Sequence, residues 1–126
     1  MKREVVSTGK APKAIGPYSQ AIKANGFIFC SGQIPFNSET DEMVTGSITD
    51  QTRQVFTNLR NVLDEAGSSL EKVVKVTVFL KNMDDFGEMN EEYARWFKDT
   101  PPARAAVEVA RLPKDVGIEI QLIALA

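Results

Sequence analysis

The stretch Val73–Leu80 constrains the fold of this chain more than any other segment. It is rich in valine and carries apolar residues on both sides of a predicted strand. Alternation places Val74, Val76, Val78 and Leu80 on one face, and Val73, Lys75, Thr77 and Phe79 on the other. This pattern is typical of a strand in the middle of a sheet, so we expect it to be a central strand.

Two segments have the periodicity of helices. Ser47 with Asp50 resembles a capping box that uses the shorter acid, and Gly67 is placed to end the helix that follows. The predicted stripe of this helix is Ile48, Thr52, Val55, Phe56, Leu59, Val62, Leu63 and Ala66. A second helix is predicted over about Met83–Lys98. Its apolar side comprises Phe86, Met89, Tyr93, Trp96 and Phe97, of which we interpret Tyr93 and Trp96 as core residues.

The remaining strands flank these helices in the sequence. We predict a short strand over Glu4–Ser7, a hairpin over Tyr18–Gln33 with a type I′ turn at Asn25-Gly26, a strand around Arg104 and a last strand over Val116–Leu125. In the last strand Val116, Ile118, Ile120, Leu122 and Ala124 share one face, which leaves Glu119 and Gln121 on the other. Counted from the hairpin, the order β-β-α-β-α-β-β predicts one α+β domain over residues 1–126, with two helices on one face of a mixed sheet.

The absence of histidine restricts the available chemistry. Without it the chain lacks the commonest general base, the usual catalytic triads and most catalytic zinc sites. Cys30 is the single cysteine, which excludes an internal disulfide or a thiolate metal cluster, and we interpret it as a small buried hydrophobe. We therefore expect no metal and no cofactor.

Charge and hydropathy bear on the partners and the localisation of the protein. The net charge is -2 with a pI of about 5.2, and the cations are scattered, which argues against a nucleic-acid partner. No apolar run approaches the roughly 20 residues of a membrane helix, and Val5-Val6 is too short for a signal-peptide core. We expect a soluble cytoplasmic protein, or a mitochondrial one if a transit peptide has been removed.

Arg104 is the most unusual residue of the sequence. It lies in an apolar run between Pro101-Pro102 and Leu112-Pro113, and a strand would place it on the same face as Ala106 and Glu108. Because a guanidinium is costly to bury without an anionic partner, two interpretations follow. Arg104 either forms an ion pair with Glu108 of a neighbouring strand or subunit, or it binds the carboxylate of a ligand.

Glu119 is the candidate partner of Arg104 in a site. The two residues lie on successive predicted strands joined by a short loop, so we expect neighbouring strands. Arginine would hold a carboxylate, and glutamate would move a proton or orient water. Partial burial between Ile118 and Ile120 would raise the pKa of Glu119. A structural ion pair explains the same two residues without any function.

Several segments of the chain resemble the Rid (YjgF) family of reactive-intermediate deaminases. They are Ala11–Gln20, Ser31–Pro35, Gln51–Gln54, Val74–Leu80, Pro102–Asp115 and Ile118–Ile120, so the resemblance covers essentially the whole chain. Arg104 matches the branch of the family that has an active-site arginine. The resemblance implies a homotrimer of chorismate-mutase-like subunits with clefts between neighbours. It also implies hydrolysis of 2-imino acids or their enamine tautomers, such as 2-iminobutanoate and 2-iminopropanoate, to 2-oxo acids and ammonia.

The resemblance also implies the roles of individual residues. Arg104 matches the arginine that binds the substrate carboxylate, and Glu119 matches the acid that contacts the water. Tyr18 and Asn90 match residues that line the cleft, and Gly32 matches a backbone contact to the ligand. Ala106 stands where many relatives carry cysteine, so no cysteine at that position takes part in the reaction.

Two other functions remain open at this point. The chain would also suit a non-catalytic trimer that senses or carries small carboxylates, or acts as a chaperone. Members of the family have also been described as endoribonucleases or translation inhibitors. The acidic pI and the lack of histidine argue against RNA hydrolysis, and Glu119 favours catalysis over sensing.

Overall fold

The predicted central strand lies in a six-stranded mixed sheet. The structure is a computed structural model that describes residues 2–126. Its strands are β1 (Arg3–Val6), β2 (Ala21–Ala24), β3 (Phe27–Gln33), β4 (Phe36–Asn37), β5 (Glu42–Met43), β6 (Val73–Leu80), β7 (Ala103–Glu108) and β8 (Ile118–Leu125). The sheet order is β1-β2-β3-β8-β6-β7, in which only β6 and β7 run parallel, while β4 and β5 form a separate hairpin. The prediction of a mixed sheet with β6 in an inner position is confirmed.

The first helix, α1, spans Ile48–Glu65 and has the predicted ends. The Ser47 hydroxyl accepts a hydrogen bond from the Asp50 amide at 3.1 Å, as an N-cap residue should. At the other end Gly67 has a φ of +80°, and the Ser68 amide donates to the Leu63 carbonyl. This is a Schellman motif, in which glycine adopts the left-handed conformation at no steric cost.

The second helix, α2, spans Phe86–Trp96 and is shorter than predicted. A 3₁₀ turn over Met83–Asp85 precedes it. The turn begins where the Asn82 side chain accepts a hydrogen bond from the Asp84 amide. Neither helix of residues 2–126 has the length and apolarity needed to cross a membrane.

Both helices lie on one face of the sheet, and the core is formed between them and the sheet. The sheet contributes Ile28, Val76, Val78, Leu80, Ile118, Ile120 and Leu122, and α1 contributes Val55, Phe56, Leu59, Val62 and Leu63, all at most 2% exposed. The Phe56 ring lies 5.5 Å from the rings of Tyr93, Trp96 and Phe97, which joins the two helices. The predicted α+β fold and the predicted core faces of α1 and β8 are confirmed. Cys30 is buried, as predicted.

The beginning of β6 differs from the prediction. Val73 is buried, whereas Val74, predicted to share the face of Val76, is 39% exposed. The pairing of β6 with β8 shifts register between Val73 and Lys75. This bulge reverses the alternation at the first residues of the strand, which periodicity alone does not reveal.

The other face of the sheet carries no helix within residues 2–126, although it is partly apolar. Phe27, Phe29, Val107 and Leu125 lie on this open face and are each between 37% and 45% exposed. The rings of Phe27 and Phe29 are 6.2 Å apart. Phe27 pairs with Leu125, and Phe29 lies two residues further along β3, so these three form a cluster. Clustered exposed apolar groups are typical of an interface.

Gln20 holds the loop between β1 and β2, and β2 consequently begins later than predicted. Its side-chain amide donates to the carbonyls of Thr8, Ala11 and Pro12, and its carbonyl accepts from the Thr8 amide at 2.7 Å. Gln20 is only 4% exposed. The loop is thus hydrogen-bonded to a buried side chain instead of a strand.

We expect Gln20→Met to destabilise the protein by about 2–3 kcal/mol, because several buried polar groups lose their partner while the volume is nearly kept. Urea unfolding measures the free energy of unfolding directly. The control is Glu39→Met, since Glu39 is exposed in the loop between β4 and β5. Equal stability of the two variants would contradict this role of Gln20.

Candidate functional site

Arg104 lies on the edge strand β7, and its side chain meets α2. Arg104 pairs with Val76, whose side chain is buried under the helices, so both residues lie on the helix-covered face. Its Nη1 donates a hydrogen bond to Asn90 Oδ1 at 2.7 Å. The guanidinium carbon lies 4.6 Å from the ring centre of Tyr93 and 5.4 Å from that of Phe86. The guanidinium is therefore held in one orientation on the surface of α2.

No carboxylate of residues 2–126 forms an ion pair with Arg104. Glu108, the predicted structural partner, instead accepts a hydrogen bond from the Met83 amide at 2.9 Å. The interpretation as an Arg104–Glu108 ion pair on one sheet is thus wrong for a single chain, because Glu108 is used at the start of the 3₁₀ turn. Arg104 opens onto a cleft of about 420 Å³, with Asn90, Tyr93, Phe97 and Pro102 among its walls.

Burial and charge act in opposite directions on Tyr93. Burial raises the pKa of its phenol, and the neighbouring Arg104 guanidinium partly opposes this rise. The hydroxyl is buried and has no hydrogen-bond partner in the part of the chain that is described. Tyr93 therefore contributes its ring face to Arg104.

Glu119 lies on the open face, against a glycine in a bulge of β3. The register of β3 and β8 shifts between Cys30 and Gln33, so that Ser31 and Gly32 together face Gln121. A Cβ atom on Gly32 would overlap Glu119 Oε2 and lie 2.9 Å from Glu119 Cδ. The carboxylate of Glu119 thus occupies the space left by the missing side chain of Gly32.

Burial raises the pKa of Glu119 above its ordinary value of 4.5. This direction agrees with the sequence-based expectation. A carboxyl group with a raised pKa is suited to accepting a proton from water near neutral pH.

Tyr18 and Gly32 line a second cleft, of about 610 Å³. Its apolar walls include Ala11, Pro12, Ile15, Ile34, Phe36 and Met43. Lys13, Lys114 and Asp41 supply its charged groups. Tyr18 is 53% exposed and accessible from this cleft, and a contact between Tyr18 and a substrate stays a prediction.

The predicted site residues fall into two separate groups within one chain. Asn90 and Arg104 form the first group, and Tyr18, Gly32 and Glu119 form the second. The expectation that Arg104 and Glu119 lie on neighbouring strands is wrong, because β6 lies between β7 and β8. Arg104 faces the helices, whereas Glu119 faces away from them. The connection between β7 and β8 is short, but it passes over an intervening strand.

The two groups are also far apart along the sheet. Arg104 is level with Val76, which pairs with Leu122, three residues beyond Glu119. Three residues along a strand span about 10 Å, and two strand spacings add about 9.6 Å across the sheet. A ligand as small as an amino acid cannot touch both side chains of a single chain.

Helical spacing places Phe86 and Tyr93 on the apolar side of α2 and predicts Tyr93 in the core, but it does not indicate that both rings contact Arg104. The available signal was the spacing of Phe86, Asn90 and Tyr93, which are four and three residues apart and so lie on one side of a helix. Which strand meets that side depends on the tertiary structure.

The raised pKa of Glu119 predicts that the free energy of unfolding depends on pH through this residue. A carboxyl group whose pKa is higher in the folded chain favours folding when protonated, and this contribution is lost as the pH rises through the folded pKa. Glutamine has no carboxyl group to ionise. We therefore expect the free energy of unfolding of Glu119→Gln, relative to that of the wild type, to be higher at pH 8 than at pH 4. Urea unfolding at both pH values tests this, with exposed Glu39→Gln as a control for the lost charge. A pH-independent difference would contradict it.

Residues 8–126 match the model of a protein family described as Endoribonuclease L-PSP. A RutC family protein from Pyrococcus horikoshii is 60% identical over 122 residues, which are 97% of each chain. Reactive Intermediate Deaminase A, chloroplastic, from Arabidopsis thaliana is 48% identical over 124 residues, covering 98% of this chain and 66% of the plant protein. The crystal structure of E. coli TdcF with bound serine has a TM-score of 0.93 and 40% identity, and 98% of each chain is covered.

Proposed function

This chain belongs to the Rid family, whose model is described as Endoribonuclease L-PSP, and on that basis we propose that it is a deaminase of reactive 2-imino acids. The proposed reaction converts 2-imino acids or their enamine tautomers to 2-oxo acids and ammonia, with 2-iminobutanoate and 2-iminopropanoate as the expected substrates. The proposal includes membership of the branch with an active-site arginine, because Arg104 is present. The plant relative is named a reactive intermediate deaminase, which supports a deaminase reaction.

The proposal rests mainly on the contacts of the Arg104 guanidinium. Its guanidinium is oriented by a neutral amide and two aromatic rings, and no carboxylate of residues 2–126 is paired with it. A guanidinium that is oriented but not paired with a carboxylate is suited to a bidentate contact with the carboxylate of a small acid. The E. coli relative, which was crystallised with serine, supports an amino-acid-like ligand.

We further propose that the complete site forms between two subunits of a homotrimer. Arg104 and Asn90 of one chain would face Tyr18, Gly32 and Glu119 of its neighbour. The separation of these groups within one chain supports this arrangement, since Arg104 and Glu119 of a single chain are too far apart to contact one small ligand. The exposed apolar groups of the open face give the chain a surface suited to association.

The proposed mechanism uses water as the nucleophile. Arg104 holds the substrate carboxylate, and water attacks C2 of the protonated imine while the carboxylate of Glu119 takes a proton from that water. The proton then passes from Glu119 to nitrogen. As the carbon–nitrogen bond breaks, the C2 hydroxyl gives its proton to the Glu119 carboxylate and becomes the carbonyl of the 2-oxo acid, and the departing ammonia takes up that proton as ammonium. A protonated imine is already a good electrophile, so positioning of the reactants provides much of the acceleration.

A coupled assay tests this function. An amino-acid oxidase or a threonine dehydratase generates the imine, and release of 2-oxo acid and ammonia is followed with the wild type and with Arg104→Ala. We expect faster loss of the imine with the wild type only. No acceleration by the wild type, together with saturable binding of 2-oxo acids, would instead support a carboxylate-sensing protein.

We do not propose ribonuclease activity despite the description of the family model. The chain has no histidine, and its net charge is -2. A surface that binds RNA is normally basic and carries aromatic groups for stacking on bases.

A further inference from the structure

We propose that Phe86, Asn90 and Tyr93 form an uncharged cradle that orients Arg104 and leaves its full positive charge available to the substrate. We call this set the Arg104 cradle. The inference rests on the proposed function, which identifies the carboxylate of a 2-imino acid as the partner of Arg104. It assigns a positioning role to Phe86 and Tyr93, and it changes that of Asn90 from a wall of the cleft to a positioning residue.

The cradle is built on a single rigid element. Its three members lie four and three residues apart on α2, so their side chains share one side of the helix. They contact different parts of the guanidinium: Asn90 Oδ1 meets Nη1 at 2.7 Å, and the two rings lie 4.6 and 5.4 Å from the central carbon. Contacts from several directions define both the position and the plane of the cation.

The members of the cradle are neutral, although acids surround them. Four glutamates lie on α2 or on the strand of Arg104, and none of them forms an ion pair with it. Glu91 is exposed, and the other three are directed to other partners. Glu88 accepts from the Thr49 hydroxyl, Glu92 pairs with Arg53 and accepts from Trp96, and Glu108 accepts from the Met83 amide. Glu92 is only 3% exposed, so its carboxylate is fixed within this network. Arg104 thus donates a hydrogen bond to an amide, at a position where a carboxylate of the same size would also fit.

The neutral cradle has a chemical consequence for binding. A carboxylate at position 90 would occupy the same guanidinium nitrogen and cancel its charge, in competition with the substrate carboxylate. The amide oxygen orients the same nitrogen without cancelling the charge. Ring faces attract the cation while leaving the in-plane N–H groups available as donors. The cradle therefore controls substrate affinity more than the chemical step.

The test compares variants of similar shape and different charge. Asn90→Asp nearly preserves the shape of the side chain, and Asn90→Leu removes the hydrogen-bond acceptor without adding charge. We expect Asn90→Asp to raise KM for the imine and Kd for 2-oxobutanoate, measured by calorimetry, by at least about tenfold, with kcat within about threefold of the wild type. Asn90→Leu should have a smaller effect on Kd. A purely structural role would give the reverse order, since aspartate is the better mimic of asparagine.

Three further variants complete the test, and the first of them is the matched control. Asn82→Asp adds the same charge before α2 and keeps the acceptor that caps the 3₁₀ turn, so its Kd should stay at the wild-type value. Tyr93→Phe keeps the ring face that contacts the guanidinium, so it should raise Kd less than removal of the ring does. Tyr93→Leu removes the ring and should raise Kd severalfold.

The outcomes separate this inference from the proposed function. If the wild type deaminates imines and Asn90→Asp binds 2-oxobutanoate as tightly as the wild type, the cradle is wrong and the function stands. If the wild type neither deaminates imines nor binds 2-oxobutanoate, the proposed function itself fails. Circular dichroism and thermal unfolding of every variant confirm that differences in Kd arise in folded protein.

Discussion

Replacing Arg104 by lysine is expected to lower kcat/KM for 2-imino acids substantially while leaving the fold intact. Lysine keeps the charge but makes only a point contact, and it lacks the planar group that contacts the rings of Phe86 and Tyr93. Loss of one charge-assisted hydrogen bond costs about 1.5–3 kcal/mol, which corresponds to a decrease of about 10- to 100-fold. Steady-state kinetics with an enzymatically generated imine measures this decrease.

The fold should tolerate this change because Arg104 is exposed at the edge of the sheet. The free energy of unfolding should therefore stay within about 0.5 kcal/mol of the wild-type value. Arg95→Lys is the matched control, since Arg95 lies on α2 itself, its side chain is 73% exposed, and it approaches Glu92 only to 3.9 Å. Full turnover by Arg104→Lys would show that clamping of a carboxylate is not the role of Arg104.

Replacing Gly32 by alanine is expected to lower turnover by about 100-fold, because a displacement of about 1 Å at a reacting group has an effect of this size. The new Cβ would overlap the carboxylate of Glu119 and force it to another position. Only the end of a flexible side chain has to move, so the stability should change little. Turnover and urea unfolding of the same protein sample separate the two effects.

A double-mutant cycle identifies the cause of this loss. If Gly32→Ala acts through Glu119, it should cause little further loss in the Glu119→Gln background, because the displaced group is already inactive. Additive losses would mean that Gly32 acts through a different contact, such as its predicted one to the ligand. Gly87→Ala is the control for the added methyl group, since a Cβ there would meet nothing within 4 Å.

The local elements of this protein followed from its sequence because their signals are local. The Ser47 cap, the left-handed Gly67 and the Asn25-Gly26 turn, whose φ values are +51° and +82°, depend on the conformational preferences of a few residues. The apolar alternation of β8 likewise predicted its buried face. The bulge at Val73 escaped this reasoning because the valine pattern fits two registers equally well, and only pairing with β8 selects one.

For the candidate site, too, the sequence indicated single residues, and the tertiary structure decided which of them meet. Sequence alone identified Arg104 as a cation without an evident partner and Glu119 as a half-buried acid, since both stand in apolar strands where their burial would be costly. It placed them together, whereas the sheet inserts β6 between them and turns them to opposite faces. It also could not pair Arg104 with Asn90 and Tyr93. Strand order and helix packing are determined by contacts between residues distant in the chain, and a linear pattern records which residues are unusual but not which of them meet.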